Sequence, residues 1–176
     1  MSYPIASNET ERLAVLQNLS ILDTNRERPF DLVTAMAKDI FGMPMVAISL
    51  VAEDRQWFKS EVGLCTHETP RAPAFCNYTI LSDEVFEVTD AAVSALFAGS
   101  PLVTEPPYIR YYCGAPIVAM GFRLGAFCIL DSEPRPPLQA NGVRILMALA
   151  EQVGREIENR KVLRQAMALL AAPNVA

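Results

Sequence analysis

Three of the chain's five tyrosines surround one arginine in Tyr108-Ile109-Arg110-Tyr111-Tyr112. A guanidinium is a planar fork of donors that suits a carboxylate or phosphate, and tyrosine offers a flat apolar wall with one hydroxyl. Together they fit the lining of a pocket for a small anionic or aromatic molecule. A plainer arrangement fits the same residues. On a strand, successive side chains point to opposite faces, so Tyr111 and Tyr112 would enter two different cores. Trp57 carries the same pair of readings, pocket wall or core.

Other chemistries have thinner support. The single histidine, His67, excludes a two-His metal site within one subunit, HExxH included. Cys65 stands two residues before it, but no further ligand at metal spacing joins them. A Cys–His nucleophile would have to use that same pair. Asp83-Glu84 and Glu53-Asp54 are adjacent carboxylates in turns, where neighbouring side chains diverge into solvent. None of the eight glycines forms G-x-G, and no GK[ST] follows one, so no phosphate-cradling loop is present. A net charge of −5 repels phosphate backbones, which argues against non-specific nucleic-acid binding.

The start of the chain has neither a basic n-region nor an apolar h-region, and no uncharged run reaches the roughly 18 residues of a membrane span. The expected setting is cytoplasmic. There Cys65, Cys76, Cys113 and Cys128, which show no CxxC spacing, are thiols. Hydrophobic residues make up 51% of the 176, enough for one domain with a real core.

The elements that must position these residues follow from periodicity. A first helix is predicted from Asn8, with Glu11 closing a capping box and Leu13, Leu16 and Leu19 as its stripe. A second buries Phe30, Val33, Ala37, Ile40 and Phe41 and stops at Gly42. Met45–Val51 is apolar on both faces, as a central strand must be, with Gln56–Glu61 as its hairpin partner. Gly63 to Pro73 reads as loop, Phe75–Leu81 as a short helix, Val85–Thr89 as a strand and Ala91–Ala98 as another short helix. After a Pro-rich stretch, Pro101 to Pro107, the runs Tyr111–Val118 and Leu124–Leu130 make a second hairpin. A helix from about Gln139 to Leu170 ends the pattern, with Leu146, Leu149, Val153 and Ile157 on one stripe and Leu163, Met167 and Leu170 continuing out of phase. Hairpins imply an antiparallel sheet, hence α+β, with one domain over 1–176 and a core about 11–160. A helix of some 30 residues runs about 45 Å, more than such a domain covers, so its far end calls for a second copy.

In order along the chain, Asp54-Arg55-Gln56-Trp57-Phe58-Lys59, Glu68-Thr69-Pro70-Arg71, Phe75-Cys76, Asp90-Ala91, Pro101-Leu102-Val103-Thr104, Ile109-Arg110-Tyr111-Tyr112-x-Gly114-Ala115-Pro116 and Leu124-Gly125-x-x-Cys128-x-x-Asp131 resemble a GAF domain. More narrowly, they resemble the GAF domains near the N-terminus of bacterial sensor histidine kinases and diguanylate cyclases. The resemblance implies a GAF/PAS-like central antiparallel sheet of about six strands, against five countable from pattern, with helices on both faces. It also implies a pocket between the sheet and the middle loops that draws on Phe75, Cys76, Asp90, Arg110 and Tyr112, with Trp57 nearby.

What the resemblance implies for function is a non-catalytic sensor in signal transduction, of the two-component kind. It would be a homodimer that binds an unidentified small molecule and signals through its helices to a histidine kinase or diguanylate cyclase output, with no nucleic acid or membrane involved. No particular cofactor is indicated. Tyr78 stands where relatives often carry His, and Cys76 is followed by Asn77, not the His that follows a bilin-bearing cysteine. The alternatives are a dimerisation module with a closed pocket, and a thiol redox sensor or methionine sulfoxide reductase-like enzyme.

Overall fold

Met45–Val51 forms β1, and all seven of its residues are buried. It pairs antiparallel with Arg55–Val62 (β2) on one side and with Phe122–Asp131 (β6) on the other. Tyr111–Ala119 (β5) lies beside β6, joined to it through Met120 and Gly121. Both turn residues have positive φ, 51° and 79°, the twist a two-residue hairpin requires. Glu68–Pro70 (β3) pairs with β2 and Phe86–Val88 (β4) with β5. The computed structural model describes residues 3–171, and in it these strands form one antiparallel sheet in the order β3-β2-β1-β6-β5-β4.

The period-two alternation of β1 divides the interior in two. Val46, Ile48 and Leu50 face a core closed by the helices Glu9–Leu19 (α1), Arg28–Phe41 (α2) and Ala140–Ala171 (α5). Met45, Ala47 and Val51 face a second core, closed by Cys76–Thr79 (α3), Pro101–Thr104 (α4), a 3₁₀ turn at Ala91–Val93 and the loops between them. Helices therefore cover both faces, and those near the two chain ends share one. Gly154 sets how closely α5 lies on β5: a Cβ there would stand 2.1 Å from the Val118 carbonyl oxygen.

Several local expectations need correction. Asn8 makes no side-chain cap; Glu9, one turn before Arg12, pairs with that arginine instead, and Arg12 is buried with Nη1 donating to the Val51 carbonyl at 2.6 Å. The buried residues of α1 are thus Arg12, Leu16 and Leu19, and Leu13 is only half-buried. On α2, Thr34 takes an inward position, bonded to Ser60, and Ile40 joins Leu32 and Met36 on the exposed side. The segment 63–73 contains β3. The short helix expected over Ala91–Ala98 shrinks to the 3₁₀ turn, and the Pro-rich stretch opens with α4, where Pro101 occupies the first turn and Ser100 caps it. Residues 1–2 and 172–176 of the domain expected over 1–176 lie outside the described residues. No described helix is long and apolar enough to cross a membrane.

Candidate functional site

On the second face, the covering layer does not close completely on the sheet. A cavity of about 260 Å³ remains. Its floor is built by residues that alternation aims to this side: Ala47 of β1, Gln56 and Phe58 of β2, Tyr112 of β5, and Cys128 and Leu130 of β6. The walls come from Leu64, Cys65 and Thr66 before β3, Thr69 within it, Phe75 and Cys76 at the start of α3, and Leu102, Pro106, Pro107 and Ile109 around and after α4. No charged side chain lines it. An apolar cavity of about 150 Å³ accepts benzene, so this one has room for an uncharged molecule somewhat larger.

The aromatic wall is tightly ordered. Phe75 stacks between Phe97, with ring centroids 4.1 Å apart, and Tyr112, at 5.0 Å. Thr79 Oγ1 lies 2.7 Å from the Tyr112 hydroxyl, which in turn donates to Cys76 Sγ at 3.4 Å. Gly114, two residues along the same face, leaves room for that hydroxyl, since a Cβ there would stand 2.2 Å from it. At the other side, Ser49 Oγ donates to Gln56 Oε1 at 3.2 Å, and Gln56 Nε2 donates to Thr69 Oγ1 at 2.7 Å. Gln56 is thereby held flat against the floor, its amide bonded to protein groups.

Two thiols meet here. The neighbouring Cys128 side chain and the Tyr112 hydroxyl favour the Cys76 thiolate against the burial that opposes it, so the Cys76 thiol is held below the ordinary thiol range. Cys128, whose Sγ donates to the Ala47 carbonyl at 3.6 Å, is pushed well up by the neighbouring Cys76 sulfur and by burial. Cys113 lies in the opposite core, where burial pushes its thiol up to about 12. Among the described residues no group of three or more His, Cys, Asp or Glu side chains could hold a metal ion.

Of the residues singled out from sequence, the structure brings Phe75, Cys76 and Tyr112 together on this cavity and places Trp57, Asp90 and Arg110 elsewhere. Trp57 points to the helix-covered core, one residue out of phase with Phe58, with the buried Lys59 ammonium 6.0 Å from its ring. Arg110 turns its fork on Asp90, with Nε and Nη2 each 2.7 Å from a carboxylate oxygen. Those donors serve the turn that Asp90 caps, and Arg110 holds the Asp90 carboxyl below its usual range. Tyr111 and Tyr112 do alternate into the two cores. His67 and Cys65 are both exposed, His67 beside Glu61 at 3.2 Å and Cys65 at the cavity rim. The floor residues Ala47, Gln56, Phe58 and Cys128 escaped sequence reasoning. Their signal was the same alternation that divides β1, carried across to the paired strands.

The comparisons with known proteins agree with this architecture. A family model described as "GAF domain" matches residues 25–157. A cyclic di-GMP phosphodiesterase of Pseudomonas aeruginosa is 38% identical over 151 residues, covering 85% of this chain. The chain spans only 26% of that relative's length. Among solved structures, the GAF domain of a phosphoenolpyruvate-protein phosphotransferase from Coxiella burnetii superposes with a TM-score of 0.66 at 15% identity, covering 90% of this chain and 99% of that one. A domain of a two-component sensor histidine kinase protein from Sinorhizobium meliloti gives 0.63 at 17% identity, covering 80% and 97%.

Proposed function

This chain belongs to the GAF domain family, and from that premise we propose that it is a non-catalytic sensory module whose cavity binds a small uncharged molecule. The carrying observation is the cavity itself: about 260 Å³, apolar, and walled on one side by the segments around β3 and α4. Its polar groups, Gln56, Thr69 and the Tyr112 hydroxyl, are already bonded to protein partners, so they fix an apolar shape more than they recruit a charged ligand.

The reading extends to how the state of the cavity leaves the domain. The last buried residue of α5 is Ile157, and the helix runs on to Ala171, about four further turns. Leu163, Met167 and Leu170 lie along those turns at i, i+4 and i+7 spacing, each more than 60% exposed. Such a stripe suits the matching stripe of a second copy. The module is then a homodimer whose paired helices lead to an output of the kinase, cyclase or phosphodiesterase kind, in keeping with the signalling proteins it resembles.

Native mass spectrometry of the purified protein, repeated after denaturation, tests this. The expected result is a dimer carrying extra mass that denaturation releases. The variant Ala47→Leu, which fills the cavity from the floor, should lose that mass while keeping the dimer. A clean apo mass, together with no thermal shift from a panel of neutral apolar compounds, would reduce the domain to a dimerisation scaffold.

A further inference from the structure

The cavity holds a feature that reversible ligand binding does not use. Of the four thiols, Cys76 at the start of α3 and Cys128 in the middle of β6 line the same cavity, and Cys128 Sγ donates to the Ala47 carbonyl at 3.6 Å. Cys113 is sealed in the opposite core, and Cys65 sits exposed at the rim. Both inner thiols are shielded from bulk solvent, with residue exposures of 3% and 2%, yet each presents sulfur to an apolar space that a small molecule can enter. The Tyr112 hydroxyl, 3.4 Å from Cys76 Sγ, supplies a proton donor beside that sulfur.

A thiol with a hydroxyl donor beside it and a second thiol on the same cavity has what peroxide chemistry needs: a nucleophile once deprotonated, a proton for the leaving oxygen, and a resolving group. The apolar lining and the lack of any charged residue select the oxidant. Anionic and strongly hydrated species lose their solvation on entry, whereas an organic hydroperoxide with an apolar tail does not.

We infer that Cys76 and Cys128 form an oxidisable dithiol whose oxidant is a small apolar hydroperoxide admitted by the cavity. The Cys76 thiolate attacks the terminal peroxide oxygen; an S–O bond forms, the O–O bond breaks, and the alkoxide leaves with a proton as the alcohol. Sulfur is oxidised by two electrons and the peroxide reduced by two. Cys128 sulfur then attacks the Cys76 sulfenic acid; the S–S bond forms, the S–O bond breaks, and the hydroxide leaves with the Cys128 proton as water. A disulfide between α3 and β6 would fasten the cavity wall to its floor. Two-electron oxidation thus becomes a change in the same element that a ligand would press. The dithiol does not depend on a ligand being found, and a failure of ligand binding leaves it standing.

The test uses the full chain, reduced, exposed to cumene hydroperoxide or to hydrogen peroxide, then denatured in N-ethylmaleimide and mapped. The expected result is the loss of two alkylatable thiols per chain and a Cys76–Cys128 linked peptide that dithiothreitol releases, formed faster with cumene hydroperoxide. Cys128→Ser should leave a Cys76 sulfenic acid that dimedone traps, and Cys65→Ser should leave the link unchanged. Four alkylatable thiols after either oxidant, or a link through Cys65 or between chains, overturns the dithiol. Equal rates with the two oxidants overturn the assignment of an apolar hydroperoxide. The wild-type peptide map decides the first question whether or not either serine variant folds.

Discussion

Arg71 Nη1 donates to Glu9 Oε1 at 2.7 Å, joining residues 62 positions apart. Glu9 also accepts from Nε and Nη2 of the buried Arg12, so one carboxylate serves two buried guanidiniums. From the same guanidinium, Arg71 Nε reaches Asn77 Oδ1 at 3.0 Å and Nη1 reaches the Ala52 carbonyl at 3.0 Å. The first helix is thereby tied to the residue that follows Cys76 in α3, at the edge of the cavity.

This junction should be visible in acid. Burial alone would raise the Glu9 carboxyl, but hydrogen bonds and charge from Arg12 and Arg71 outweigh it and hold it at about 2. The folded value lies below the unfolded one, so its stabilisation is complete above the ordinary carboxylate range and drains away as pH falls toward 2. Urea melts from pH 7 down to pH 2 should show wild type ahead of Glu9→Gln by on the order of 1–2 kcal/mol at neutral pH, after screening at its exposed edge is discounted. The gap should close in acid; a gap independent of pH would show that the charge is not what matters.

Gly154→Ala places a methyl 2.1 Å from the Val118 carbonyl oxygen, a backbone atom that cannot rotate away. Lifting α5 off β5 should cost about 1–3 kcal/mol and lower the melting temperature by several degrees. An unchanged melt would mean that α5 is not seated as closely as described.

Tyr112→Phe removes the hydroxyl between Thr79 and Cys76 but keeps the ring stacked on Phe75. The buried Thr79 hydroxyl loses its side-chain partner, so the change should cost roughly 1–2 kcal/mol. Loss of a donor also raises the Cys76 thiol, and its alkylation by iodoacetamide should slow. Faster alkylation would point to loosened packing in place of a lost hydrogen bond.

Arg110→Ala should leave the occupancy of the cavity unchanged, because its guanidinium pairs with Asp90 outside the cavity. Native mass spectra of Arg110→Ala and Ala47→Leu, run side by side, make the comparison. Loss of bound mass in the arginine variant would return Arg110 to the binding site.

The sheet and its central strand were legible because β1 is apolar on both faces, and the two hairpins because their turns are short. β3 was not, since three residues of Glu-Thr-Pro owe their strand state wholly to β2. Phe75, Cys76 and Tyr112 could be named in advance, but Trp57 and Arg110 were drawn to the same place by residue type and Asp90 by the resemblance alone. Type says what a side chain can do. The one-residue difference between Trp57 and Phe58 decides which face does it, and the Arg110–Asp90 pair shows a donor fork taken up by a neighbour 20 residues away. Arg12 and Arg71 were illegible for a related reason: burial of a guanidinium depends on carbonyls and a carboxylate that only the fold assembles.

Along β5, Tyr112 and Gly114 belong to the cavity side, whereas Tyr111, Cys113, Ala115 and Ile117 belong to the side on which α5 rests. One strand therefore carries two interleaved scripts. Between Tyr111 and Ala115, odd-numbered residues can be rewritten to change how the long helix is held, and even-numbered ones to change what fits beneath the loops, with little cross-talk where the side chains share no partner. A lineage could exchange one chemical cue for another by drift at alternate positions while the part that reports it stays fixed. The same separation gives an engineer two nearly independent dials within one strand.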